Sequence, residues 1–217
     1  MSTSENQALP GGVAEVPPDA PASPRLSPPA NFLLTPFIGG INFAQVAVNL
    51  GFSAVLLPNQ LAVLDDANKV ANLALVSSIS LLISPFAQPI VGALSDQTRS
   101  RLGRRVPWML GGGLLMAAAF TGIGFVQSMA LIVVLATLMQ LGSATLGAPL
   151  AALIADRYDV GKRGLVSAFV GLGLNVGYAV GVLIAGSLAA DLPIAYVSLG
   201  LGFALILAGF LVAARDS

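Results

Sequence analysis

Apolar residues in this chain come in long blocks rather than in the alternating or 3.6-spaced patterns of half-buried elements. Six blocks follow one another, at approximately Leu33–Leu57, Val70–Leu94, Pro107–Gln127, Ala130–Ile154, Leu165–Ala190 and Leu192–Ala214. Each supplies the roughly 20 consecutive apolar residues that a helix needs to cross the hydrocarbon core of a bilayer. Short polar intervals separate them, near 58–69, 95–106, 128–129, 155–164 and 191. A segment in hydrocarbon must satisfy its own backbone polar groups, so such blocks predict helices rather than isolated strands. The pattern predicts an all-α membrane protein, with six transmembrane helices forming one domain over residues 31–217.

The first 30 residues break the pattern. They hold seven of the 14 prolines, mixed with Ser, Gly and Ala, and have no apolar face to bury. Residues 1–30 therefore read as a disordered, Pro-rich tail. No basic stretch precedes an apolar run there, so it is not a signal peptide.

Composition agrees with a membrane location. The chain is 56% hydrophobic and 9% charged, with a mean hydropathy of +0.86, against about 25% charged residues in soluble domains. A formal net charge of zero argues against nucleic acid as a partner. There is no Cys and no His. That excludes disulfides, thiolate and imidazole metal sites, and histidine-assisted nucleophiles. No acid or base lies well inside a span, which leaves little for general acid–base chemistry. The expectation is a protein that is not an enzyme and needs no cofactor.

Charge in the intervals predicts orientation. With the tail in the cytoplasm, the inner side collects Arg25, Arg99, Arg101, Arg104, Arg105, Arg157, Lys162, Arg163 and Arg215, while the outer side keeps Lys69 alone. Both termini are therefore expected inside, in a multi-pass protein of the plasma membrane.

Uncharged polar residues are unevenly shared among the spans. Asn42, Gln45 and Asn49 fall on one face of the first. Ser77, Ser80, Ser84 and Gln88 form a stripe on the second. The fourth carries Gln140 and Ser143, and the fifth Asn175 and Tyr178, whereas the third and sixth are almost purely apolar. Spans one, two, four and five are therefore expected to face a polar cavity, and three and six to face lipid. Asn42, Gln45, Asn49, Gln140, Asn175 and Tyr178 become the candidate solute-binding set, suited to hydrogen bonding a neutral, hydroxyl-rich solute. The competing reading is that such groups join helices. For the serines that reading is preferred, because a hydroxyl can bond the carbonyl of its own preceding turn.

Gly173, Gly177 and Gly181 form a small-residue ridge on the fifth span, a packing surface whose partner helix is expected either within this chain or outside it. Pro85 and Pro89 in the second span and Pro149 in the fourth can kink their helices.

The interval after the second span carries the most specific pattern. Gly92-Ala-Leu-Ser-Asp96-Gln-Thr-Arg99-Ser-Arg101-Leu-Gly103-Arg104-Arg105 resembles the signature between the second and third helices of the major facilitator superfamily. Its spacing is similar to the longer variant of glycoside–pentoside–hexuronide and sucrose-type carriers. Ala155-Asp156-Arg157 to Lys162-Arg163-Gly164 resembles that family's loop between helices four and five. The resemblance spans roughly Phe32 to Ala214. It implies one six-helix half of a transporter, itself a 3+3 inverted repeat. It also implies a cytoplasmic gate of Gly92, Asp96, Arg99, Gly103, Arg104, Arg105, Asp156 and Arg163. In that gate Asp96 pairs with Arg104 or Arg105, Asp156 pairs with Arg163, and Gly92 lets a facing helix approach. A purely sorting and lipid-binding role for the arginines remains the alternative. Gln97 stands where this variant usually has arginine. Asp65 and Asp66 lie before the second helix, as capping residues, rather than inside it as in sodium-coupled sugar carriers.

The expected function is a secondary active or facilitative carrier half that moves a sugar or other neutral polar solute by alternating access. Its partners would be the lipid bilayer, the solute, and a second six-helix half. That half could be a C-terminal continuation, a separate chain or a second copy. The alternatives are a non-transporting membrane scaffold derived from a carrier, or an inactive fragment.

Overall fold

The computed structural model describes residues 28–98, 105–157 and 160–215, with side chains defined over 36–98, 105–152 and 164–212. Of the Pro-rich tail expected over residues 1–30, residues 1–27 lie outside them, and residues 28–30 form the start of α1. The described elements are all helical: α1 (Pro28–Gly51), a π turn (Phe52–Leu56), α2 (Leu57–Leu64), α3 (Lys69–Gln97), α4 (Val106–Ile123), α5 (Met129–Arg157), α6 (Val160–Ser187) and α7 (Leu192–Arg215). Because α1, the π turn and α2 run on as one rod, six stretches are long and apolar enough to cross a membrane. They correspond to the six predicted blocks.

The first span continues to Leu64, past the Leu57 expected from the sequence. Pro58 opens the interval expected near 58–69, but it sits in the first turn of α2, where a missing N–H costs least. The π turn ahead of it accommodates the ring. Within that turn the Leu57 N–H donates to Phe52 O, five residues back. Upstream, the core face follows Ile38, Ile41, Ala44, Val48 and Phe52; downstream, Leu57, Gln60 and Leu61 are buried while Val63 is exposed. That is one residue later than the upstream rhythm predicts. The π turn supplies the extra residue and returns the helix to the core in phase.

Helix pairing has an internal symmetry. Helix α1 packs along α6 and α7, α5 packs along α3 and α4, and α4 packs along α7. Exchanging spans one with four, two with five and three with six maps this set onto itself. Consecutive spans run antiparallel, so the exchange relates oppositely directed helices, as an inverted repeat requires.

Two glycine seams bring backbones together. The α6 ridge packs on α1 inside this chain, which corrects the expectation of a possible outside partner. A Cβ at Gly173 would stand 2.7 Å from Gly39 O, one at Gly177 would stand 2.6 Å from Phe43 O, and one at Gly181 would run into Ala47 O. The α4–α5 seam is built by Gly112 and Gly142, each of whose Cβ positions is occupied by the other helix's backbone. Lipid tails are as apolar as the side chains, so close packing rather than water exclusion holds such seams.

The core belongs mainly to spans one, three, four and six, while α3 and α6 are the least buried. The apolar third and sixth spans thus do more than face lipid. Leu114, Leu201, Leu205 and Val212 point outward, but Met116, Phe120, Tyr196 and Phe203 fill the centre. Composition alone cannot separate the two faces of a wholly apolar helix.

Candidate functional site

Spans one, two, four and five surround a concavity of about 250 Å3. It lies near mid-span: Asn49 is close to the middle of Pro36–Leu64, and Ser80 is close to the middle of Lys69–Gln97. Phe52, Leu57, Val76 and Met139 form its apolar wall. Asn49, Ser53, Ser77, Ser80, Gln140 and Tyr178 supply its polar groups. Apart from the Tyr178 phenol, no ionisable side chain lines it.

The candidate solute-binding residues divide into two groups. Asn49, Gln140 and Tyr178 line the concavity. Asn42, Gln45 and Asn175 are not among its lining. Gln45 Nε2 donates to Ser143 O at 2.8 Å and Ser143 Oγ at 2.9 Å, fastening the first span to α5. Asn49 Nδ2 donates to Gln45 O at 2.9 Å and to Ser143 Oγ at 3.3 Å. Its Oδ1 accepts from no donor among the described residues. Asn42 Nδ2 turns back to Ile38 O at 2.9 Å, and Asn175 Nδ2 to Gly171 O at 2.7 Å. A carboxamide on a helix can satisfy its donors on the preceding turn, so a shared stripe does not guarantee a shared role.

A second polar cluster, which the sequence pattern did not single out, lies beyond the π turn. Gln60 is 5% exposed. Its Nε2 donates to Ile123 O at 2.8 Å, which also accepts the Val126 N–H, and to Val126 O at 2.9 Å, just past the end of α4. Its Oε1 accepts from the Tyr196 hydroxyl at 2.8 Å. Tyr196 in turn meets Phe52 and Phe120, the three rings edge-on or tilted to one another with centroids 5.0–6.4 Å apart. The signal that could have exposed this cluster is the setting of Gln60 in Leu57-Pro-Asn-Gln60-Leu-Ala-Val-Leu64, an apolar run continuing past a tolerated proline.

At the end of α3, Asp96 Oδ1 and Arg105 Nη2 lie 3.1 Å apart; the Asp96 side chain is half exposed and that of Arg105 is largely covered. Trp108 Nε1 donates to Thr98 Oγ1 at 2.8 Å, and Thr98 Oγ1 to Leu94 O at 2.9 Å, tying the start of α4 to the end of α3. A Cβ at Gly92 would meet nothing within 4 Å, so the close approach expected there is not made by described residues of this chain. Arg99, Gly103 and Arg104 lie outside the described residues. Asp156 and Arg163 lie on α5 and α6, but their side chains are outside the described set.

The turn between the first two spans is closed by Asp65. Its Oδ2 accepts from Asn68 Nδ2 at 2.9 Å and its Oδ1 from the Asn68 N–H at 3.2 Å. These bonds, the side-chain one foremost, hold its carboxyl below the usual aspartate value.

Residues 40–216 match the Major Facilitator Superfamily. Over 46 residues the chain is 50% identical to a Synechocystis sp. protein described as an uncharacterized symporter; the match takes in 21% of this chain and 8% of that protein. The chain therefore covers only a small part of that relative's length.

Proposed function

The chain belongs to the Major Facilitator Superfamily, a family of membrane transporters, and on that premise we propose that it is one six-helix half of a secondary carrier for a neutral polar solute of the sugar type. The observation that carries this reading is the mid-span concavity. Uncharged donors and acceptors from four helices converge there, and several have no protein partner. A site without charged side chains pays no desolvation cost for an ion it must later release, and suits a neutral molecule. Membrane carriers of repeat architecture hold substrate near the midplane, at the interface of their repeats.

In this reading both termini are cytoplasmic, and the Asp96–Arg105 pair with the Asp156 and Arg163 loop forms the inner gate. Spans two and five, the least buried, face a second six-helix half across the concavity. The mode is symport, following the description of the Synechocystis relative.

The test is uptake of radiolabelled sucrose into proteoliposomes that hold the protein with its second half. Asn49→Ala and Gln140→Ala are expected to lower uptake at least about tenfold, one lost hydrogen bond to solute each. Asn175→Ala, whose amide is bonded within its own helix, is expected to transport normally. Uptake that ignores Asn49→Ala and Gln140→Ala together would remove the concavity from consideration.

A further inference from the structure

Some hydroxyls on these helices turn back on their own backbone. Ser95, Thr98, Thr145, Ser187 and Ser198 each donate to a carbonyl three or four residues earlier. Ser143 instead accepts the amides of Gln45 and Asn49. Ser80 does neither. It is 4% exposed, its Oγ has no hydrogen-bond partner, and it lines the mid-span concavity beside Ser77 and across from Asn49 and Gln140. The other unpartnered buried hydroxyl, that of Thr137 on α5, is not part of that lining. The back-bonding that made the serine stripe look merely structural in the sequence is made by none of Ser77, Ser80 and Ser84, and of these Ser80 is the one that is buried, so its unpaired hydroxyl has no water to turn to.

We infer that Ser80 is a solute-binding residue, whose hydroxyl is satisfied by a hydroxyl or ring oxygen of a neutral solute. The inference rests on the carrier reading of the concavity. A serine hydroxyl donates once and accepts twice, so it can meet either polarity of a polyol group. Buried polar atoms in native proteins nearly always find a partner, and an orphan on a residue that lines a cavity points to what the cavity holds. The neighbouring wall specifies the rest of the molecule. Phe52, Val76 and Met139 take an apolar face, such as the C–H face of a pyranose ring, while Asn49 Oδ1 and Gln140 meet hydroxyls on the other side. A charged solute finds no counter-ion there.

The experiment uses the full chain with sucrose as the probe. Removing an orphan hydroxyl relieves the solute-free protein, so Ser80→Ala is expected to raise its Tm by about 2–4 °C. The same change is expected to weaken sucrose binding about tenfold. A merely structural hydroxyl would move both quantities differently: a lowered Tm, or unchanged sucrose affinity, overturns the inference. The chain has no cysteine, so Ser80→Cys introduces a single thiol. It is expected to react with a small cationic methanethiosulfonate at least about tenfold faster than Ile132→Cys, which is fully buried and does not line the concavity, and sucrose is expected to slow that reaction. Equal rates for the two thiols, or no protection where the wild type binds sucrose, also overturn it. A wild type indifferent to sucrose counts against the carrier reading for that solute, and the Tm and thiol comparisons still decide Ser80.

Discussion

Two side-chain amides on the first span, Asn49 and Gln60, sit on opposite sides of one π turn and meet opposite fates. Gln60 is buried, gives its amide hydrogens to the Ile123 and Val126 carbonyls, and accepts the Tyr196 hydroxyl. Asn49 spends its donor on Gln45 and Ser143, then opens its carbonyl to a concavity shared with Ser77, Ser80 and Gln140. Both are polar groups in an apolar setting, where a missing hydrogen bond is costly. The difference shows that polarity within a span does not mark a binding site. Completeness of hydrogen bonding separates a structural knot from a place made for something else.

The largest expected effect breaks the knot. Gln60→Leu removes three hydrogen bonds, to Ile123 O, Val126 O and the Tyr196 hydroxyl, and is expected to cost about 3 kcal/mol, near 1 kcal/mol per lost bond, read as a lowered unfolding midpoint with sucrose affinity little changed. Next, Gly177→Ala forces a methyl against Phe43 O and pushes α6, with Tyr178, away from α1. A cost of about 2 kcal/mol is expected, this time with weakened sucrose binding, because the moved helix walls the concavity. Equal sucrose affinity in Gly177→Ala and wild type would separate the seam from the site.

The π turn offers a sharper test of how the two sides are joined. Deleting one residue from an ordinary helix turns everything after it by about 100°. Deleting Ala54 removes the extra residue of the turn instead, so Gln60 is expected to keep its partners and the loss of stability to stay below that of Gln60→Leu. A larger loss, measured in the same unfolding experiment, would mean that the turn is not the phase correction described above.

The smallest effect lies outside both regions. Asp65 is held ionised by Asn68, so its folded pKa is below the unfolded value of about 3.9. Its contribution is present above that value and fades as pH falls through the lower folded pKa. Asp65→Asn is expected to flatten the Tm profile slightly in that acid range and nowhere else. The carboxylate lies in a partly exposed turn between spans, where water screens it, so the change should be near the limit of measurement.

Much of the fold could be read from residue order. The six spans agree with the apolar blocks to within a few residues at most ends, because hydrocarbon thickness dictates length and composition independently of neighbours. The second span begins and ends within three residues of its expected bounds, at Lys69 and Gln97. The exception, the first span beyond Leu57, turned on Pro58, whose tolerance depends on a local backbone geometry that no residue count displays. The site was half legible. The four helices around the concavity and three of its lining residues, Asn49, Gln140 and Tyr178, followed from the distribution of polar residues. Asn42 and Asn175 carry the same carboxamide and turn back on their own helices, while Gln45 is absorbed by Ser143. The difference between those outcomes is a few ångströms of neighbour position.

The sequence by itself determined that this protein is a bundle of six membrane-spanning helices with uncharged polar residues on four of them, since length, hydropathy and residue type suffice for that. Only the tertiary structure decided which helix the Gly173–Gly177–Gly181 ridge would meet, that Gln60 would be buried rather than looped out, and that Ser80 would be left without a partner. Each of these depends on how close one helix comes to another. In a bilayer that distance is set by packing between particular side chains and not by how apolar each helix is alone.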